Sequence, residues 1–397
     1  MKSPATPHRP QRRALIVTGE ASGDLHGGNL VRAARRIDPE LVFFGVGGNS
    51  MAAAGCDILI SSEELAVMGI VEVIEYFPVI YRALQRLKKI IHGPERPDLL
   101  ILIDFPEFNL RLARQAQKAG IPVLYYISPQ IWAWRQGRAK KIARLVDRMA
   151  VILPFEADFY RGYDIDVSYV GNPLLEDAQV RLDKKALLSS LGLDAARPVI
   201  GLFPGSRRNE LRYIFDTIVD AAELIRQRCP EVQFLLPVAS SLDPEIVREK
   251  LSQRNLPVTL TQANIYDVAN ACCAAITVSG TVTLQTALVG TPMAVVYKMA
   301  PLTYAIGKRL VKIPFISLAN IVAGRGVVRE FIQDAATPTA LADEIIKIIE
   351  DSAYAEAIRG GLLSVRKQMG EKGCSERVAR MASEMSAAFA ERNGSAG

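Results

Sequence analysis

Histidine is scarce in this sequence: His8, His26 and His92 are the only three in 397 residues. His8 lies in a basic tail, so acid–base work falls mainly to carboxylates. The five cysteines (Cys56, Cys229, Cys272, Cys273, Cys374) form no C-x-x-C pair. Their odd number and spacing exclude a disulfide framework and a thiolate metal site, and they read as reduced thiols of a cytoplasmic protein. No uninterrupted apolar run is long enough to span a bilayer. The N-terminal run "ALIV" is too short for a signal-peptide core. Neither G-x-G-x-x-G nor the P-loop pattern occurs at the glycine-bearing turns, so the usual nucleotide fingerprints are missing. There is no tandem repeat and no low-complexity segment.

What is present is a soluble, globular composition, long enough for two domains. The net charge of +6 favours anionic partners such as phosphates, nucleotides or acidic lipid head groups. Short apolar runs recur between helical stretches: "ALIVTG" (14–19), "LVFFGVGG" (41–48), "LLILID" (99–104), "PVLYYI" (122–127), "RMAVILPF" (148–155) and "VSYVGNP" (167–173). A second series follows at 198–206, 232–239, 257–261, 274–280 and 292–298. Alternating strand and helix predicts α/β architecture with parallel sheets covered on both faces. The charged segment 172–198 reads as the linker. The expectation is two doubly wound, Rossmann-like domains (1–178 and 179–365) facing a cleft, followed by a C-terminal segment (366–397).

Three glycine-bearing turns follow strands. "TGEASGDLHGG" (18–28) offers close ligand approach at its glycines, or is simply a tight strand–helix turn. In "LFPGSRRNELR" (202–212), Gly205, Ser206 and Arg207 precede a helix. Cations there oppose the helix dipole unless an anion sits between them, which points to a diphosphate. In "TVSGTVTLQTALVGTP" (277–292), Ser279, Gly280 and Thr281 repeat the arrangement, and Gln285 stands one turn on, within reach of a ribose. The Asp164-Ile165-Asp166 pair opens a strand and reads as a solvated loop rather than a metal site. Asp104 ends an apolar strand and is either a fixed carboxylate or the cap of the helix behind it.

The motifs "GEASGDLHGGNL", "GVGG", "ELAVMGIVEVI", "IDFPEFN", "YYISPQIWAWRQGRAKKI", "LPFE" with "VGNP", "LFPGSRRNE", "SGTVTL" and "SLANIVAGRGVVRE" occur in this order. Together they resemble the lipid-A-disaccharide synthase family across almost the whole chain. The resemblance implies a GT-B fold and an inverting, metal-independent glycosyl transfer. Its donor would be UDP-2,3-diacylglucosamine and its acceptor 2,3-diacylglucosamine 1-phosphate (lipid X). The products would be UDP and a β-1,6-linked lipid A disaccharide 1-phosphate. No metal, organic cofactor or nucleic acid is implied.

On that resemblance, Asp104 matches the base, and Glu20 and Asp24 hold acceptor hydroxyls or orient it. Arg207 neutralises the departing UDP, and Asn320 meets the diphosphate or sugar. Gln285 stands where the family often has Glu, which keeps hydrogen bonding but drops the charge. Ile70, Val71, Val73, Ile74, Phe77 and Ile80 form an apolar run before a basic helix end. This reads as an ordinary buried helix or, with diacylated substrates, as a patch docking on the anionic cytoplasmic face of the inner membrane. The C-terminal helix would return to the N-terminal domain or be exchanged in a homodimer. The rivals are another UDP-sugar enzyme of this fold, such as a UDP-N-acetylglucosamine 2-epimerase, and a non-catalytic nucleotide-sugar binder.

Overall fold

The computed structural model describes residues 11–65, 70–239, 241–311 and 313–394, with the side chains of all but 70–77, 208, 209, 302, 306 and 394. The chain forms two compact units. One holds the described residues up to Pro173 and from Glu371 on; the other is Leu174–Gly370.

The first unit is built on seven strands: β1 (Arg12–Val17), β2 (Leu41–Gly47), β3 (Asp57–Ser61), β4 (Leu99–Ile103), β5 (Val123–Tyr126), β6 (Arg148–Val151) and β7 (Asp166–Tyr169). All pair in parallel, in the order β3-β2-β1-β4-β5-β6-β7. Leu15 and Val17 face one side with Leu100 and Leu102; Ala14 and Ile16 face the other with Leu99, Ile101 and Ile103. Both faces are buried, which is why these strands read as unbroken apolar runs. Helices Ile70–Ile91, Pro106–Lys118 and Ala139–Ala143 cover the first face. Helices Ala21–Ile37 and Cys374–Gly394 cover the second. The sequence pattern missed β3, an edge strand in which only Ile60 is buried.

The C-terminal helix is tied down by charge as well as packing. The Arg12 guanidinium bonds both Asp38 carboxylate oxygens at 2.7 Å, the Ser383 carbonyl at 3.2 Å and the Ser386 hydroxyl at 3.1 Å. The Ser383 hydroxyl returns to Asp38 at 2.5 Å. Arg12 and Asp38 are both buried, so removing one leaves the other's charge uncompensated. Asp38→Ala is expected to cost roughly 3–5 kcal/mol in urea unfolding of the first unit. A loss too small to resolve would show that the pair is dispensable.

The second unit has six parallel strands: β8 (Val199–Phe203), β9 (Gln233–Pro237), β10 (Val258–Thr261), β11 (Ala274–Val278), β12 (Met293–Tyr297) and β13 (Arg329–Ile332). Their order is β10-β9-β8-β11-β12-β13. β13 is again an edge strand that the apolar pattern did not mark. The segment expected as a linker holds helices Leu174–Asp177 and Lys184–Ser190, and it buries Leu187 and Leu188. Asp267 accepts from the Arg181 and Leu182 N–H groups at 2.6 and 3.2 Å, fastening this segment to the second unit. Its charge belongs to the exposed face of a short amphipathic helix. Among the described residues no helix is long and apolar enough to cross a membrane.

Candidate active site

At the end of β4 the chain turns at once. Asp104 and Phe105 both lie in the left-handed region, at φ +46° and +47°. Each such non-glycine residue costs on the order of 1–3 kcal/mol, and the surroundings must hold it. Here the Asp104 carbonyl accepts from Asn109 Nδ2 at 2.7 Å and from the Tyr125 hydroxyl at 2.6 Å. Both donors are fully buried. The Phe105 ring stacks on Phe108 with centroids 5.2 Å apart. It also fills the space of a Gly19 side chain, whose Cβ would lie 2.4 Å from the ring. The N-cap of helix Pro106–Lys118 is Phe105, which makes no capping bond. Asp104 therefore stands one residue ahead of the cap, partly exposed at the carboxyl edge of the sheet. Ile127, after the neighbouring β5, is also left-handed at φ +66°, which is rarer still for a β-branched residue.

Glu20 is exposed at the N-cap of helix Ala21–Ile37 and makes no side-chain cap. Asp24 faces inward. Its buried carboxylate accepts from the N–H groups of Gly48, Ser50 and Met51 at 2.6, 2.9 and 3.1 Å, capping helix Asn49–Ala54. The glycine-rich turn does not leave open space for a ligand at these positions. Thr18, Met51 and Ser50 occupy the side-chain space of Gly23, Gly27 and Gly28, so the glycines serve close packing. Glu107 pairs with Arg138 at 2.5 Å and Arg135 at 3.4 Å, and the Arg138 bond holds its pKa below the usual carboxylate range.

A second carboxyl group went unmarked in the sequence. Glu156 is buried and accepts from the Trp132 indole at 3.1 Å and from the Leu153 and Ile152 N–H groups at 3.0 and 3.3 Å. It staples the loop after β5 to the turn after β6. Burial pushes its pKa up to about 7. A carboxyl raised on folding stabilises below its unfolded pKa, and that stability is lost as pH rises through the folded value. Between pH 5 and pH 8 the wild type is expected to lose stability on the order of 3 kcal/mol more than Glu156→Gln does, in paired unfolding titrations. Parallel curves would remove Glu156 as the source.

In the second unit, a cavity of about 480 Å³ opens at the carboxyl ends of β8, β9 and β11. Gly205, Ser206, Arg207, Gly280, Thr281 and Gln285 line it. Its volume is within the range of roughly 300–1,000 Å³ usual for small-ligand sites. Gly205 has φ +102°, and a Cβ there would lie 2.0 Å from Glu210 Oε2. Glu210 Oε2 accepts from the N–H groups of Ser206 and Arg207 at 2.9 and 3.2 Å, and Oε1 meets the Arg207 guanidinium at 3.3 Å. The anion that the two arginines call for is thus, in part, the chain's own carboxylate in a capping box. The Arg207 side chain remains well exposed beside the cavity.

Gln285 lies by Tyr266, whose hydroxyl donates to the Leu174 carbonyl at 3.3 Å. Two expected ligand contacts are placed elsewhere. Ser279 donates its hydroxyl to the Ile316 carbonyl at 2.8 Å and does not line the cavity. Asn320 is buried, and its amide makes four bonds: to Val328 and Glu330 as donor, and from the Val327 and Val328 N–H groups as acceptor. It braces a loop. Of the expected membrane patch, Ile70, Val71, Val73, Ile74 and Phe77 have side chains outside the described residues. Ile80 is half-buried against the sheet core.

A family model described as lipid-A-disaccharide synthetase matches residues 14–384. The chain belongs to the lipid-A-disaccharide synthase family. A lipid-A-disaccharide synthase of Syntrophotalea carbinolica is 62% identical over 374 residues, covering 94% of this chain and 95% of the relative. One from Geobacter sulfurreducens is 52% identical over 373 residues, covering 94% and 97%. Among solved structures, a Neisseria meningitidis UDP-GlcNAc 2-epimerase bound to UDP-GlcNAc aligns with a TM-score of 0.63 at 12% identity, covering 93% of this chain and 99% of that one. A glycosyltransferase of kitacinnamycin aligns with a TM-score of 0.61 at 18% identity, covering 95% and 99%. These likenesses show the fold, which is GT-B. The choice between synthase and epimerase follows from the family, which makes this chain a glycosyltransferase of lipid A assembly.

Proposed function

We propose that this family member joins UDP-2,3-diacylglucosamine to 2,3-diacylglucosamine 1-phosphate with inversion, and that Asp104 is the base. The observation that carries the assignment of the base is the strained turn at Asp104, fixed from below by Asn109 and Tyr125. The acceptor's 6-hydroxyl oxygen forms a bond to the anomeric carbon as the bond to the UDP oxygen breaks. The hydroxyl proton goes to the Asp104 carboxylate. A carboxylate can take this proton because the hydroxyl becomes acidic only as the new bond forms.

In the cavity of the second unit, Arg207 and the N-terminus of helix Thr281–Val289 receive the diphosphate and its growing charge. Glu210 holds the Gly205–Arg207 turn in shape, and Gln285 takes the ribose. Asp24 acts as a brace behind the turn that carries Glu20. No metal or organic cofactor enters this reading. The work is placed on the cytoplasmic face of the inner membrane, where diacylated substrates lie. Exchange of helix Cys374–Gly394 between two chains would re-form the Arg12–Asp38–Ser383 bonds, so a homodimer of that kind requires no new contacts.

The test is UDP release from the diacylated donor. Release that depends on the monosaccharide phosphate acceptor is expected. Release without acceptor, or donor isomerisation without UDP, would sink the reading.

A further inference from the structure

The first unit also carries a basic recess. Arg114 and Gln117 of helix Pro106–Lys118 and Gly137, Lys140, Lys141 and Arg144 surround about 630 Å³. Arg114 lies roughly 12 Å along the helix from Pro106, and the helix leads away from Asp104. No carboxylate lines the recess. Among the described residues none of its four cations makes an ion pair, whereas nearby Arg135 and Arg138 both pair with Glu107. Lys140 and Arg144 are four residues apart, and Lys141 and Arg144 three, so they repel across one short helical turn. Gln117 bonds the Arg144 carbonyl at 2.6 Å, which holds the two walls together. Four cations from two stretches of chain thus line it, with no ion-pair partner among the described residues.

Its surroundings indicate which anion. Trp134, three residues before Gly137, is 45% exposed and lies beneath the Arg135 guanidinium at 4.0 Å. An aromatic ring with a cation above it suits the interface of a bilayer. Helix Ile70–Ile91 packs against helix Pro106–Lys118 on the same face of the sheet and exposes Arg86, Lys88 and Lys89. The C-terminal part of that helix therefore adds further positive charge to this face.

We propose that the recess seats phosphodiester head groups of anionic phospholipids, giving the first unit a hold on the bilayer separate from the apolar 70–80 run. This rests on the reading that the substrates are membrane-borne. Each basic side chain near an anionic surface is worth roughly fivefold in partitioning. The experiment is flotation of the full chain with phosphatidylcholine vesicles, with and without about 30% phosphatidylglycerol. Lys140→Gln/Lys141→Gln/Arg144→Gln should weaken binding to the anionic vesicles by about 100-fold, and Arg114→Gln alone by about fivefold. Acceptor-dependent UDP release from detergent-dispersed substrates should stay at the wild-type rate. Flotation of the triple variant equal to wild type overturns the proposal. So does thermal stabilisation by inorganic phosphate that the triple variant loses while its flotation is unchanged, which would make the ligand free phosphate. Bulk RNA binding that tracks the substitutions while flotation does not would reassign the surface to nucleic acid. If only the transferase reading is wrong, UDP release fails in the wild type while charge-dependent flotation persists.

Discussion

Asp104→Asn is expected to lower acceptor-dependent UDP release by about 10²–10⁴-fold, the usual range for loss of a general base. Asparagine is the right replacement for a backbone reason. Position 104 has φ +46°, and Asn and Asp tolerate that region where most side chains do not. The bonds that Asn109 and Tyr125 make go to the Asp104 carbonyl, so they survive the change. Asp104→Ala would mix lost chemistry with backbone strain. The unfolding midpoint of Asp104→Asn should stay close to wild type, and donor binding, measured by UDP-sugar titration, should be unchanged. Near wild-type turnover in a folded Asp104→Asn protein would end its candidacy. A large loss of donor affinity would move Asp104 from acid–base work to binding.

Arg207→Ala carries the second large effect, about 10²–10³-fold in kcat, by analogy with removal of one donor to a developing anion. Its side chain lines the cavity, and Glu210, with which it pairs, keeps the Ser206 and Arg207 N–H bonds after truncation. The turn therefore persists while the cation is lost. Arg207→Lys should recover only part of the rate, because an ammonium lacks the planar fork that grips two phosphate oxygens. If Arg207→Ala raises KM with kcat untouched, Arg207 binds the ground state and does not stabilise the leaving group.

Periodicity made most of the fold legible. Each of the eleven apolar runs overlaps a strand of the two sheets. The misses, β3 and β13, are edge strands, where one side lacks a neighbour and the apolar signal thins. The glycine-rich turns were also legible as turns, but not what fills them. A glycine accommodates a ligand and a packed Met51 or Phe105 equally well, and nothing local distinguishes the two.

The alternation of strand and helix, the basic helix start and the acid at the end of "LLILID" are local properties, and chain chemistry alone sets them. Which carboxylate is consumed and which stays available is not local. Asp24 is bound by N–H groups 24 to 27 positions away, Glu156 by an indole 24 positions away, and Asn320 by a loop that folds back on it. Hydrogen-bond satisfaction depends on which groups meet in space, so only tertiary packing decided it.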